Sequence, residues 1–418
     1  MTSLADRIRG VIGATAGTSP ITSQSPIPNP QSLSVLGGEW RAEVFIVERR
    51  WPASARHGRE AVGTFGECLE AASSQAPFYA GGAAARAPFV FFDLESTGLS
   101  GGAGTHVFLV GCGWFDADAS FVTRQFVLTR FADERAMLHT VADELGRAGT
   151  IVTFNGKSFD APLLETRYLF HRLSWNGRDL PHVDVLHPAR RFWKAGDRDD
   201  PCSLAALERQ LLGARRAGDV PGFQIPARYF QFVRTGDAGA LAPVLEHNRL
   251  DMLTLAALAA RLFHVTLHGP DAARDAREAL ALGHVYARAG LTTRACDAFA
   301  RAVDMTERGV VSQVVRIESL RALALAHRRA RAYGDAAACW RRLLDTPGCP
   351  PVVVREATEA LAVHHEHRAR DLAAAKAFAL RGLDVDAQPA WTRAVHHRLA
   401  RLDRKLKLIE QSSSWLLS

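Results

Sequence analysis

The residues with the clearest capacity for chemistry are Asp93 and Glu95, in the segment FFDLESTGLSGGAGTHVFLVG that runs from Phe91 to Gly111. In an extended strand, side chains alternate faces, so these two carboxylates project together while Phe92 and Leu94 point the other way. Like charges held side by side repel unless a cation lies between them, and paired hard oxygen donors suit magnesium or manganese. A second acid, Asp160, follows the apolar run IVTF in TFNGKSFDAPLLETRY, where Asn155 and Asp160 bracket a turn. With Pro162 just inside the following helix, Asp160 taken alone reads as an N-cap. The third element is HNRLD, within the apolar-periodic stretch LAPVLEHNRLDMLTLAALAARLF. His247 and Asp251, four apart, share one helical face there. Each element has an ordinary reading by itself: a solvated strand end, a helix cap and a polar patch on an amphipathic helix.

Strands near 89–95, 106–115, 120–128 and 150–154, with helices near 133–148 and 160–172, would position these acids in a mixed α/β domain. Residues 1–37, rich in Ser, Pro, Thr and Gly, read as a flexible leader. Residues 38–87 form an N-terminal extension. In it, WRAEVFIVERR (40–50) alternates as one strand, and AGGAAARA (80–87) is a small-residue linker. The α/β domain is expected over 88–265 and an all-α repeat domain over 270–410. The repeat rests on Leu282, Gly283, Tyr286, Ala295, Phe299 and Ala302. Their offsets recur at Leu323, Ala324, His327, Ala336, Trp340 and Leu343, and again at Leu361, Ala362, His365, Ala374, Phe378 and Arg381, with shifts of 41 and 38 residues. Small residues where two helices cross, with an aromatic four residues later, are what a close antiparallel pair requires; the pattern resembles a degenerate tetratricopeptide array with lengthened loops.

Of the 418 residues, 47% are hydrophobic and 23% charged, a globular composition. The net charge of +7 is confined to the C-terminal third: residues 271–418 hold 24 Lys/Arg against 17 Asp/Glu, whereas 1–270 hold 27 of each. This asymmetry fits a modular chain and a polyanionic partner, or simply Arg-rich solvated helix faces. Six cysteines without a CxxC pair indicate neither a zinc site nor a disulfide framework, and a reducing cytoplasm is expected. No run of 18 apolar residues suggests a membrane span.

Taken in chain order, DxE, NxxxxD and HxxxD form a specific pattern. Carried by FFDLESTGLSGGAGTHVFLVG, TFNGKSFDAPLLETRY, HVDVLHPARRFW, DVPGFQIPARYF and HNRLD, it resembles the DEDD superfamily of 3′-to-5′ exonucleases and, within it, the bacterial YprB-type family. The resemblance spans about residues 88–262 and implies an RNase H-like fold. It also implies a two-metal phosphodiesterase in which Asp93, Glu95, Asp160 and Asp251 hold two Mg²⁺ or Mn²⁺ ions, with Asp93 bridging them. His247 would be the general base, and Thr97, Gly98 and Asn155 would lie close to the nucleotide. The substrate would be DNA or RNA, single-stranded or with a free 3′ end, and the repeats would bind it or a protein partner.

One departure matters. Members with a catalytic histidine usually space it as HxxxxD, whereas this chain has histidine at the YxxxD spacing. One residue is about 100° of helical rotation, so the spacing leaves open whether His247 faces the ligands. Two other readings stay in play, a non-catalytic nucleic-acid-binding scaffold and a structure-selective endonuclease on the same fold.

Several motifs point elsewhere and are set aside. Gly156-Lys157-Ser158 lacks the upstream glycine of a phosphate loop, leaving Lys157 as a simple phosphate contact. GLSGGAGT precedes a strand rather than a helix and reads as a connection beside the site. His364-His365-Glu366-His367 has no HExxH spacing and reads as a polar helix face, and Asp184 fits turn or cap chemistry.

Overall fold

The computed structural model describes residues 30–98, 104–194, 202–309, 312–383 and 389–415. The expected leader over 1–29 and the centre of the glycine loop, 99–103, lie outside the described residues. Two compact units are built from interleaved segments. The first draws on the chain up to Gly63, Pro88–His182 and Gly213–Leu255, and the second on Thr64–Ala87, Val183–Leu212 and the chain from Ala256 onward.

The strands, in chain order, are β1 (Glu39–Arg41), β2 (Val44–Trp51), β3 (Arg56–His57), β4 (Glu60–Ala61), β5 (Phe89–Ser96), β6 (Val107–Phe115), β7 (Phe121–Val127), β8 (Thr150–Thr153) and β9 (His182–Asp184). β3 and β4 form a small hairpin; the others form a seven-stranded sheet in the order β1-β2-β7-β6-β5-β8-β9. β5, β6 and β7 pair antiparallel as a meander, and β8 joins β5 in parallel after the helix Glu134–Leu145. β5 is therefore interior, with Phe89, Val90, Phe91 and Phe92 buried, which explains its apolar run. The fold is thus an RNase H-like α/β domain with a mixed sheet flanked by helices, followed by a helical C-terminal region.

Two expectations need correction. Trp40–Arg50 is not one strand: Ala42, at φ 53°, turns the chain so that β1 folds back on β2, which in turn pairs with β7. Residues 30–36, placed in a flexible leader by composition, instead form short helical turns. Their Leu33 and Leu36 are buried in the core of the first unit because apolar burial outweighs the local polar composition.

In the second unit, the positions named for the expected repeats fall on successive helix pairs, apart from His365, which lies in the helical turn His365–Ala369 after the fifth of these helices. The pairs are Ala276–Arg288 with Thr292–Arg308, Gln313–Arg329 with Tyr333–Leu344, and Pro351–His364 with Leu372–Arg381. Gly283 marks the first crossing, since a Cβ there would lie 2.4 Å from the Phe299 ring. Phe299 and Trp340 are buried as core residues. Glu278 anchors the start of the first pair: its N–H donates to Asp275 at 2.9 Å, while its carboxylate accepts from Trp193 Nε1 at 2.9 Å, from the Arg274 N–H at 2.8 Å and from Arg261. The His364–His367 run differs from a simple solvated face, because the Glu366 side chain is buried and holds Arg401 and Lys405 at 2.7 and 2.8 Å. Asp184 accepts from the Leu186 N–H at 3.1 Å, a turn bond.

By length and composition alone the helical stretch Ala238–His268 is long and apolar enough to cross a membrane, yet 72% of its apolar window is buried inside the protein. Its apolar character thus matches a core helix. All six cysteines are free.

Candidate active site

The site begins with register. On β5, Asp93 pairs with Gly111 of β6, and Gly111 pairs in turn with Gln125 of β7, so the three share one face of the sheet in a row. The helix Ala242–His268 crosses this row, and only a glycine lets it come close. A Cβ on Gly111 would lie 2.3 Å from Asn248 Oδ1 and 2.8 Å from Met252 Cε. Through this gap Gln125 Nε2 donates to Asn248 Oδ1 at 2.8 Å and to the Leu245 carbonyl at 2.7 Å. Asn248 Nδ2 in turn donates to Asp93 Oδ2 at 2.7 Å. Both amides are fully buried, so the relay fixes which way the Asp93 carboxylate faces. The pairing of β5 with β6 then slips between Glu95 and Ser96, an irregularity that re-aims the strand end immediately after the two acids.

Asp160 arrives from the turn after β8. It is the first residue of the helix Asp160–Phe170 and not its cap: Phe159 holds the cap position, and the Phe159 side chain makes no capping bond. The N-cap reading is therefore corrected. Asp251 arrives from the long helix, one turn beyond His247.

The electrostatics show that these four acids share a field. Burial first, then the charges of Asp251, Glu95 and Asp160, push the Asp93 carboxyl well above its ordinary range, against the pull of the Asn248 hydrogen bond. Glu95 is likewise pushed well up, by burial and then by Asp251, Asp160 and Asp219. Asp251 is raised by burial despite the opposing charges of Arg216 and His247. Part-buried carboxylates, two of which are raised by the charges of the others, are electrostatically incomplete, and hard oxygen donors are the chemistry that magnesium or manganese takes. The donor set fits such ions, although among the described residues no group of three or more His, Cys, Asp or Glu closes into a ready-made metal cage.

His247 does face the acid on its own helix: its Nε2 lies 3.4 Å from Asp251 Oδ2, and its Nδ1 is 2.6 Å from Asp219 Oδ1. Asp219 comes from the irregular segment after Gly213. That segment also carries Arg216, whose guanidinium lies 2.6 Å from Asp251 Oδ1 and 3.5 Å from Asp219 Oδ2.

The residues expected near the nucleotide are placed as follows. Thr97 closes the β5–β6 connection, its N–H donating to the His106 carbonyl at 2.9 Å and its Oγ1 accepting from the His106 N–H at 3.0 Å. Gly98 accepts from Ser96 Oγ at 2.8 Å and has open space where a side chain would be. Asn155, at φ 68°, shapes the turn ahead of Asp160, its carbonyl accepting from the N–H groups of Ser158 and Phe159. Lys157 is exposed on that turn.

Sequence reasoning missed Gln125, Asn248, Asp219 and Arg216. Asn248 and Asp219 lie within the segments HNRLD and DVPGF, but nothing in their spacing announces a role. Gly111 was the available signal, a glycine in an interior strand where another element must approach.

A family model described as RNase H superfamily matches residues 90–263, a stretch that contains all four acids. The uncharacterized protein YprB of Bacillus subtilis (strain 168) is 31% identical over 320 residues, covering 75% of this chain and 74% of that one. Among solved structures, the family B DNA polymerase from the hyperthermophilic archaeon Pyrobaculum calidifontis is similar with a TM-score of 0.33 and 16% identity, over 49% of this chain and 29% of that chain. With an RNase H superfamily domain around its acids and an alignment to YprB over about three quarters of both chains, this protein belongs to the YprB family of the RNase H superfamily.

Proposed function

We propose that the chain is a metal-dependent nuclease of the DEDD type, a 3′-to-5′ exonuclease that hydrolyses phosphodiester bonds of DNA or RNA. The observation that carries this reading is the convergence of Asp93, Glu95, Asp160 and Asp251, from a strand and two helices: burial and then the charges of Asp251 and Asp160 push the Asp93 and Glu95 carboxyls well up. The same charges would favour divalent cations. These four residues would hold two Mg²⁺ or Mn²⁺ ions, which when bound supply an activated water and neutralise charge on the phosphoryl group.

The chain's own groups divide the remaining work. The Gln125–Asn248 relay holds Asp93 in one orientation. Asp219 holds His247 through Nδ1, leaving Nε2 directed toward Asp251. That is the arrangement of an oriented imidazole able to accept a proton from water. Thr97, Gly98, Asn155 and Lys157 are proposed to contact the nucleotide. The helix pairs beyond residue 270 are read as a degenerate tetratricopeptide-like array that binds substrate or a protein partner, supported by the recurring positions and the basic excess.

The test is incubation of the full chain with end-labelled single-stranded DNA and RNA in manganese or magnesium. Nucleotide-by-nucleotide shortening from the 3′ end supports the reading; internal cuts would assign an endonuclease on the same fold. One observation favours a second reading. The ion pair between Arg216 and Asp251 supplies a cation without metal, as a non-catalytic nucleic-acid-binding scaffold would allow. Binding of metal and oligonucleotide with no cleavage under any tested condition would select that reading.

A further inference from the structure

The segment Gly213–Val220 inserts two charged side chains against the helix Ala242–His268, and together they close a ring. Arg216 lies 2.6 Å from Asp251 Oδ1, His247 Nε2 lies 3.4 Å from Asp251 Oδ2, His247 Nδ1 lies 2.6 Å from Asp219 Oδ1, and Asp219 Oδ2 lies 3.5 Å from Arg216. Of the adjacent arginines 215 and 216, Arg215 is exposed, whereas the Arg216 side chain is only 5% exposed. The chain therefore buries a guanidinium at the one acid of the four that stands on the long helix beside His247. We infer that Arg216 is an exchangeable internal cation, which occupies Asp251 in the metal-free protein and moves to a phosphate of the substrate when a divalent cation takes Asp251.

This inference rests on the nuclease reading. A metal at Asp251 and a guanidinium on its Oδ1 compete for the same charge. Displacing a nearly buried arginine from its carboxylate is costly unless another anion receives it. A phosphodiester drawn toward the carboxylates supplies that anion, and the planar guanidinium fork matches phosphate oxygens in a way an ammonium does not. Metal and substrate would then bind with positive coupling, each making room for the other, and by linkage the coupling is reciprocal. A purely structural ion pair would show no competition with metal, and the coupling to nucleotide that direct metal–phosphate attraction supplies would not depend on Arg216.

The experiment measures Mn²⁺ binding to the full chain by titration calorimetry, with and without thymidine 5′-monophosphate as a phosphate-bearing probe. It uses the wild type, Arg216→Gln and Arg216→Lys, with circular dichroism to confirm folding. In the wild type the nucleotide tightens Mn²⁺ binding, by about tenfold for a typical coupling. Without nucleotide, Arg216→Gln binds Mn²⁺ more tightly than the wild type, by a similar factor, and its response to nucleotide shrinks to what direct metal–phosphate attraction supplies. Arg216→Lys retains competition but has a weaker response to nucleotide. Weaker or unchanged Mn²⁺ binding in Arg216→Gln overturns the exchange. So does a wild-type response in Arg216→Lys should the glutamine variant fail to fold. A wild type that takes up no Mn²⁺ overturns the nuclease reading and the exchange together, whereas Mn²⁺ binding and cleavage without competition overturns only the exchange.

Discussion

Gly111→Ala is the smallest change that should disturb the centre, and its effect can be worked from the structure. The new Cβ would lie 2.3 Å from Asn248 Oδ1, 3.0 Å from Asn248 Cγ and 2.8 Å from Met252 Cε. Met252 can swing its flexible end aside, but Asn248 is fixed on one side by Gln125 and on the other by Asp93. The amide must therefore move and lose the hydrogen bond to a carboxylate, worth about 1.5–3 kcal/mol. Residual crowding costs about 1–3 kcal/mol, and replacing glycine in a strand returns about 0.5–1 kcal/mol. A net destabilisation of about 1.5–5.5 kcal/mol is expected by urea unfolding, together with a lower apparent metal affinity, because Asp93 is no longer oriented. Asn248→Ala removes the obstacle, so the two substitutions should be non-additive by about 1 kcal/mol or more, the double variant losing less than the sum. A neutral Gly111→Ala, or strict additivity with Asn248→Ala, would refute the close-approach argument.

Three further outcomes follow from the same structure. In chelator, Asp93→Asn should raise the melting temperature at neutral pH and lose that advantage in acid. The raised folded pKa values of Asp93 and Glu95 mean that the native state holds protons the unfolded chain has released, so their contribution falls as pH rises from about 4; a difference constant between about pH 4 and 8 would contradict this. Asp251→Ala should abolish manganese-dependent cleavage while leaving the circular dichroism spectrum unchanged, and retained turnover in an oligonucleotide assay would remove Asp251 from the centre. In the second unit, Glu278→Ala leaves Arg261 nearly buried without its partner and should destabilise by about 3 kcal/mol in thermal or urea unfolding. Burial opposes ionisation of Glu278, but Arg261, the Arg274 N–H and Trp193 outweigh it and hold its pKa down, so this contribution is present above about pH 4 and disappears in acid.

Much of the scaffold was legible because periodicity records which faces are buried. The strands at 89–96, 107–115 and 121–127 and the helices after 134 and 160 fall close to where alternation and apolar spacing put them. Local signals failed where long-range burial decided the outcome: Leu33 and Leu36 fold into the core from a polar context, and Ala42 breaks an alternating run by turning in a left-handed conformation that alanine rarely takes. At the site, the four acids could be named because DxE, NxxxxD and HxxxD, each ordinary alone, together resemble the pattern of a known family. Gln125, Asn248, Arg216 and Asp219 could not, since their importance lies in partners far away in sequence. For the same reason the spacing of His247 was ambiguous until the helix was seen to carry it onto both Asp251 and Asp219.

The most direct test of the central claim is an anomalous-scattering map from crystals of the full chain soaked with manganese and a mononucleotide. The account predicts manganese peaks ligated by Asp93, Glu95, Asp160 and Asp251, with the nucleotide phosphate beside them. A well-ordered site in which these four carboxylates bind no manganese, with Arg216 still seated on Asp251, would contradict it.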